Sequence, residues 1–292
     1  MSTIPPDPEL PGPAIVGEPQ ILPPDGRFAP PAMPPPVRRR KPSWQVAPAT
    51  HVLLAINCVV FLAMAARGIS PVNPTVDQLM AWGANSAYSV LVQGQWVRIV
   101  TAMFLHVGII HLGTNMWCLW NLGMLAEPLM GWLGITAAYI LTGAAGNLLS
   151  TWYYWVWPIH DNGSLVFPAG AGASGAVFGI AGVLIVLLNS NRLPVPPQEL
   201  KRLRKSVIYF AAINLFIGFS VNFGSRWTGL NIDNMAHLGG FSSGLLLAAP
   251  MVPRIGSPRE TFIVRLRLAL AMMMGILVLF GFYIANVPPP QN

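Results

Sequence analysis

Seven stretches of near-continuous apolar residues punctuate the chain, at 50–66, 106–128, 132–153, 174–190, 206–223, 235–252 and 266–285. Each is close to the ~20 residues that a helix needs to cross a hydrocarbon core about 30 Å thick. The pattern predicts a polytopic, all-α bundle of transmembrane helices. Between the first two stretches lies a longer polar-apolar mixture, 67–105, with short apolar patches around Val90 and Trp96. This loop is expected to be partly helical and to lie at the interface. Residues 1–48 are dense in proline and have no helical period. Such a segment cannot bury enough apolar surface to fold alone.

Composition agrees with this reading. Of 292 residues, 53% are hydrophobic and only 9% charged, against roughly 25% charged in soluble domains. The net charge of +7 raises the question of nucleic acid, but its distribution answers otherwise. With the N-terminus inside, 14 of the 17 Lys and Arg residues fall on inner segments. Only Arg67, Arg98 and Arg226 fall outside. The basic surplus is therefore topological; it meets the lipid bilayer, and no nucleic-acid module is present. The aromatic run Trp152–Trp157 closes the third stretch on the outer side, where an aromatic belt belongs. The tail has no signal-peptide core, and its acids, Asp7, Glu9, Glu18 and Asp25, argue against a transit peptide. A bacterial plasma membrane is the expected location, with the N-terminus cytoplasmic and the C-terminus outside. Cys58 and Cys118 both lie in apolar stretches and are expected to be buried thiols, with no disulfide.

Polar residues inside spans are costly and mark function. The chemistry concentrates at Gly172-Ala173-Ser174-Gly175, where a glycine-rich turn runs into the fourth apolar stretch. The first turn of a helix leaves backbone N–H groups unpaired, and these favour negative charge. Taken alone, Ser174 reads equally well as a helix cap. Three further residues change that balance. His111 and Asn115, four apart on one face of the second stretch, and His237, early in the sixth, fall at the same outer depth as Ser174. A serine hydroxyl needs a base, and His237 can supply one. No Asp or Glu lies in stretches four or six, so a dyad is expected rather than a triad. Asp233, four residues before His237, is expected at the surface. Asn115, a His111 ring N–H and the Ser174 backbone N–H are suitable oxyanion donors. Gly240 and Gly244 on the sixth stretch, with Gly175, Gly179 and Gly182 on the fourth, would let the two helices pack closely. From Ser174 to the inner boundary the fourth helix is too short to cross the membrane, which submerges the nucleophile below the outer surface.

Together these residues resemble the rhomboid family of intramembrane serine proteases. The motifs are Gly172-Ala173-Ser174-Gly175; Ala236-His237-Leu238-Gly239-Gly240 through Gly244; His106, His111 and Asn115; Glu127; and Trp96-Val97-Arg98, where the family usually has Trp and Arg adjacent. The resemblance implies a six-helix protease core over 49–253, preceded by the cytoplasmic tail 1–48 and followed by a seventh helix and short tail over 254–292. It implies Ser174 as nucleophile, His237 as general base and His111 with Asn115 at the oxyanion. Gly172, Phe178, Gly240, His106 and Arg98 take supporting roles. Phe178 stands where some members carry Tyr; it can stack on His237 but cannot hydrogen-bond to it. His106 reads as a partner that fixes the loop. The implied reaction is hydrolysis of single-span membrane proteins near their outer end, with no cofactor and no metal. The rivals are a catalytically inactive, client-binding relative and a transporter. A zinc protease is disfavoured because HExxH is absent.

Overall fold

The structure is a computed structural model that describes residues 43–161, 163–189, 196–228, 232–254 and 258–290. The proline-rich segment up to Pro42, with its basic run 38–41, and Arg192 lie outside the described residues.

A one-turn helix, α1 (Ser43–Val46), leads into α2 (Pro48–Ala66). Proline at its first position suits a helix start. The long loop that follows is ordered by three short helices, α3 (Val76–Ala81), α4 (Ala87–Leu91) and α5 (Arg98–Thr101), and a 3₁₀ turn at Ala102–Phe104. Next comes α6 (Ile109–Val156), which holds the second and third apolar stretches end to end. Its two arms meet at Gly131, where φ 78 and ψ 169 are incompatible with helix. Only glycine adopts that backbone readily. The first arm starts at Ile109 rather than at 106. Leu105 is extended, which ends the 3₁₀ turn and leaves His106 in the loop.

A small antiparallel hairpin, β1 (Ile159–Asp161) and β2 (Ser164–Val166), precedes α7 (Ser174–Leu187). Among the described residues, α8 (Pro197–Thr228), α9 (Asn234–Ala248), a 3₁₀ segment at Ala249–Arg254 and α10 (Arg259–Ala285) follow. Both α8 and α10 begin well before the apolar stretches that announced them. The early turns of α8 are rich in Gln, Glu, Lys and Arg, and α10 opens on Arg259 and Glu260; these residues favour helix without being hydrophobic. Apolarity marks the span; propensity sets the helix.

The core is organised around α7. Gly175 to Leu184 are all buried, and the helix carries no polar face. A helix that is apolar all round belongs inside a bundle. The second arm of α6 and helix α9 enclose it, and Phe210 of α8 lies 6.1 Å from Phe178. On the far side α2 packs on α6. Glu127 accepts hydrogen bonds from the Ala49 N–H (2.9 Å), the Thr50 N–H (2.8 Å) and the Thr50 hydroxyl (2.7 Å). It thereby satisfies donors that the start of α2 leaves unpaired. Buried Asn57 donates to the Tyr139 hydroxyl at 3.1 Å, tying α2 to the second arm. Helix α10 lies along that arm: Leu266 approaches Gly134, and Trp155 Nε1 donates to the Val287 carbonyl at 3.1 Å. Cys58 and Cys118 are free thiols, half-buried rather than buried.

Candidate active site

The loop before Ser174 is held from three directions. Gly170 exchanges both backbone hydrogen bonds with Asn85, at 2.8 and 2.7 Å. Gly172 N–H donates to the Ala102 carbonyl at 2.9 Å. Ala173 N–H donates to His106 Nε2 at 3.5 Å, and His106 itself is fully buried. Gly172 has φ 143, which disfavours any side chain. A Cβ there would also lie 2.8 Å from His111 Cε1. The turn therefore places the His111 ring directly against the backbone that enters Ser174. Ser174 then opens α7, with its first-turn N–H groups at the mouth of the site.

Helix α9 brings the second partner. Asp233 caps it, accepting from the Ala236 N–H at 3.0 Å. Glycine faces on α7 and α9 meet backbone to backbone. A Cβ on Gly240 would fall 2.0 Å from the Gly175 carbonyl oxygen, and one on Gly244 2.0 Å from that of Gly179. This approach sets His237 Nε2 2.8 Å from Ser174 Oγ. The Phe178 ring stacks on His237, with centroids 4.5 Å apart and planes 22° apart, which restricts imidazole rotation. His237 is buried, and its Nδ1 has no hydrogen-bond partner among the described residues.

The face of α6 toward this pair carries His111 and Asn115. His111 Nδ1 accepts from the Val107 N–H at 3.4 Å. The His106 and His111 rings meet edge to face at 5.3 Å. Asn115 is buried and donates one amide proton to the His111 carbonyl at 2.9 Å. An Nδ2 group has two donors, so one proton remains for a second acceptor. No described contact joins Asn115 to Ser174.

A family profile described as Rhomboid domain matches residues 93–254. The chain belongs to the rhomboid family. It is 30% identical over 243 residues to Rhomboid protease GluP of Bacillus subtilis (strain 168), covering 83% of this chain and 42% of that protein. RHOMBOID-like protein 1 of Arabidopsis thaliana is 32% identical over 181 residues, 61% of this chain and 40% of the relative. Rhomboid protease AarA of Providencia stuartii is 28% identical over 209 residues, 68% of this chain and 70% of the relative. The match thus spans less than half the length of the first two. Family and apolar helices together make this a membrane protein.

The remaining rhomboid motif residues act away from the dyad. Arg98 Nη1 donates to the Met80 and Ala84 carbonyls at 2.7 and 2.8 Å, and its Nε to Gln95. It staples the loop between α2 and α6. Trp96 lies near Gly281 of α10. Among the described residues, no cluster of three His, Cys, Asp or Glu side chains gathers into a metal site.

One expectation is corrected here. Asp233 does not sit at the surface: it is half-buried, and both carboxylate oxygens are engaged, the second by the Ser150 hydroxyl at 2.6 Å. Burial raises its pKa, opposed by the Ser150 and Ala236 hydrogen bonds. The carboxylate is held inward by Ser150 on α6, a partner that position before a helix does not reveal. Two further residues escaped the sequence reading altogether, Ser150 and Asn85. A lone Ser or Asn in a helix or loop gives no signal of the distant backbone it will meet.

Proposed function

We propose that this rhomboid is an intramembrane serine endopeptidase that hydrolyses single-span membrane proteins near the outer end of the span. The observation that carries the reading is the 2.8 Å contact between Ser174 Oγ and His237 Nε2 at the N-terminus of a buried helix. In this mechanism Ser174 Oγ attacks the scissile carbonyl carbon as His237 Nε2 takes its proton. The developing oxyanion is held by the Ser174 N–H, His111 and the free Asn115 amide proton. His237 then gives its proton to the leaving amine, leaving an acyl-serine. Water attacks that ester, again through His237, and releases the new carboxylate.

Helix α7 has 14 residues, roughly 21 Å of helix, short of the about 30 Å hydrocarbon core. With its inner end at the inner boundary, Ser174 lies several Å below the outer surface. A substrate carbonyl is hydrogen-bonded inside its own helix, so the span must unwind there before attack. Gly and Pro ease that step, at about 1 and 3 kcal/mol relative to Ala. The close fit of His111 against Gly172 favours a small residue before the cut bond. The location is a bacterial plasma membrane with the N-terminus cytoplasmic.

The test is cleavage of a panel of single-span proteins by purified enzyme in liposomes, with both fragments mapped by mass spectrometry. Cleavage in the outer third of the span, after Ala, Gly, Ser or Cys, and lost in Ser174→Ala and His237→Ala, supports the reading. Turnover by Ser174→Ala within about tenfold of wild type refutes it, since loss of the nucleophile normally costs far more.

A further inference from the structure

Glycine contacts set how close two helices come, but a smooth glycine face does not fix their position along the axis. The first turn of α9 lies in such a slot. A Cβ on Gly146 of α6 would fall 2.4 Å from the Ala236 carbonyl oxygen, and one on Gly175 of α7 3.2 Å from it. A Cβ on Gly239 would meet the Ala145 carbonyl at 2.9 Å. Nothing in these contacts stops α9 from sliding, and a slide moves His237 relative to Ser174.

One hydrogen bond does supply a stop. Ser150 lies one turn beyond Gly146 on α6 and therefore on the same face. Its hydroxyl donates to Asp233 Oδ2 at 2.6 Å, within the range of an O–H···O hydrogen bond. Asp233 Oδ1 is occupied by the Ala236 N–H at 3.0 Å, so the carboxylate is fixed to α9 by one oxygen and to α6 by the other. The third element is the nucleophile's loop: a Cβ on Gly170 would lie 3.0 Å from Oδ2. One side chain thus bonds to α9 and α6 and lies beside the loop entering Ser174, one helical turn from His237.

We infer that Asp233 and Ser150 form a bracket that sets the axial register of α9, making both positioning residues for the dyad. The inference rests on the serine-protease reading above. It differs from simple helix capping, because Ser150→Ala leaves the cap intact and removes only the tie to α6.

The experiment compares wild type, Ser150→Ala, Asp233→Ala and Asp233→Asn in liposomes. Two quantities are followed for fluorophosphonate labelling of Ser174. The final amplitude counts folded sites, and the rate constant reports the Ser174–His237 geometry. The kcat and KM of a cleaved reporter are measured alongside. Ser150→Ala should keep the wild-type amplitude while its labelling rate constant and kcat fall about tenfold at nearly unchanged KM. Asp233→Ala should fall about 10²-fold. Asp233→Asn should recover to within about threefold of wild type, because Asn caps as well as Asp and its amide can donate to Ser150 Oγ. Where Asp233→Ala does not fold, Ser150→Ala and Asp233→Asn decide. A wild-type rate constant in Ser150→Ala, or a loss confined to amplitude, overturns the bracket while the dyad stands. Wild type that labels no faster than Ser174→Ala overturns the dyad and the bracket with it.

Discussion

Replacing Gly240 by alanine tests the backbone-to-backbone approach of α9 to α7. The new Cβ would fall 2.0 Å from the Gly175 carbonyl oxygen and 2.7 Å from its carbon. Ordinary contact begins at 3.4 Å, so the helices must part by about 1.4 Å, and both obstacles are backbone that cannot rotate away. His237 is three residues from Gly240 and moves with it. The 2.8 Å dyad contact would stretch toward ~4 Å, beyond the ~3.2 Å reach of proton transfer. A displacement of that size costs about 10²-fold in rate, whereas overpacking costs about 1–3 kcal/mol of stability. Turnover of a reporter substrate and thermal unfolding, measured on the same liposome preparation, separate the two. Gly275→Ala on α10 is the control, since nothing lies within 4 Å of a Cβ there. The expected outcome is a large activity loss with a modest stability loss in Gly240→Ala and neither in the control. If Gly240→Ala kept a third or more of wild-type turnover, the inferred link between helix contact and dyad geometry would be wrong.

Other substitutions probe the remaining parts. Asn115→Ala should lower kcat about 10²-fold if its free amide proton serves the oxyanion; unchanged turnover in both Asn115→Ala and His111→Ala would remove the α6 face from the mechanism. Gly172→Ala should lose activity, since its φ and the His111 ring both oppose a side chain, and full activity would show that the loop can rearrange. Glu127→Ala should lower the unfolding temperature, because each buried donor left unpaired at the start of α2 costs about 1–3 kcal/mol. Its labelling rate constant at Ser174 should stay at the wild-type value, and a slowed rate would mean that α2 is coupled to the site.

The bundle was legible because each span announces itself by apolarity. The glycine faces of α7 and α9 were legible because spacing of four puts Gly175, Gly179, Gly240 and Gly244 on single helix faces. Boundaries were harder to read. Lys201 to Lys205 extend α8 by helix propensity that hydropathy ignores, and Leu105 ends the 3₁₀ turn four residues before α6 begins. The contacts that cross the fold were the least visible. The meeting of Ser150 with Asp233 through one hydrogen bond, and of Asn85 with Gly170 through two, joins residues 83 and 85 positions apart in chain order, and no local pattern encodes them.

The enclosure of α7 has a consequence for how the protein is made. A helix of fourteen residues is too short to be held across a bilayer by lipid alone. Its stability comes from contact with α6 and α9. Helix α9 leaves the ribosome some sixty residues after α7 begins, so α7 has no complete set of partners when it first appears. The helix bearing Ser174 therefore settles late, and the Ser174–His237 contact forms only when the rest of the bundle has closed around it. A partly synthesised chain carries Ser174 without His237, and the pair exists only once the fold is complete.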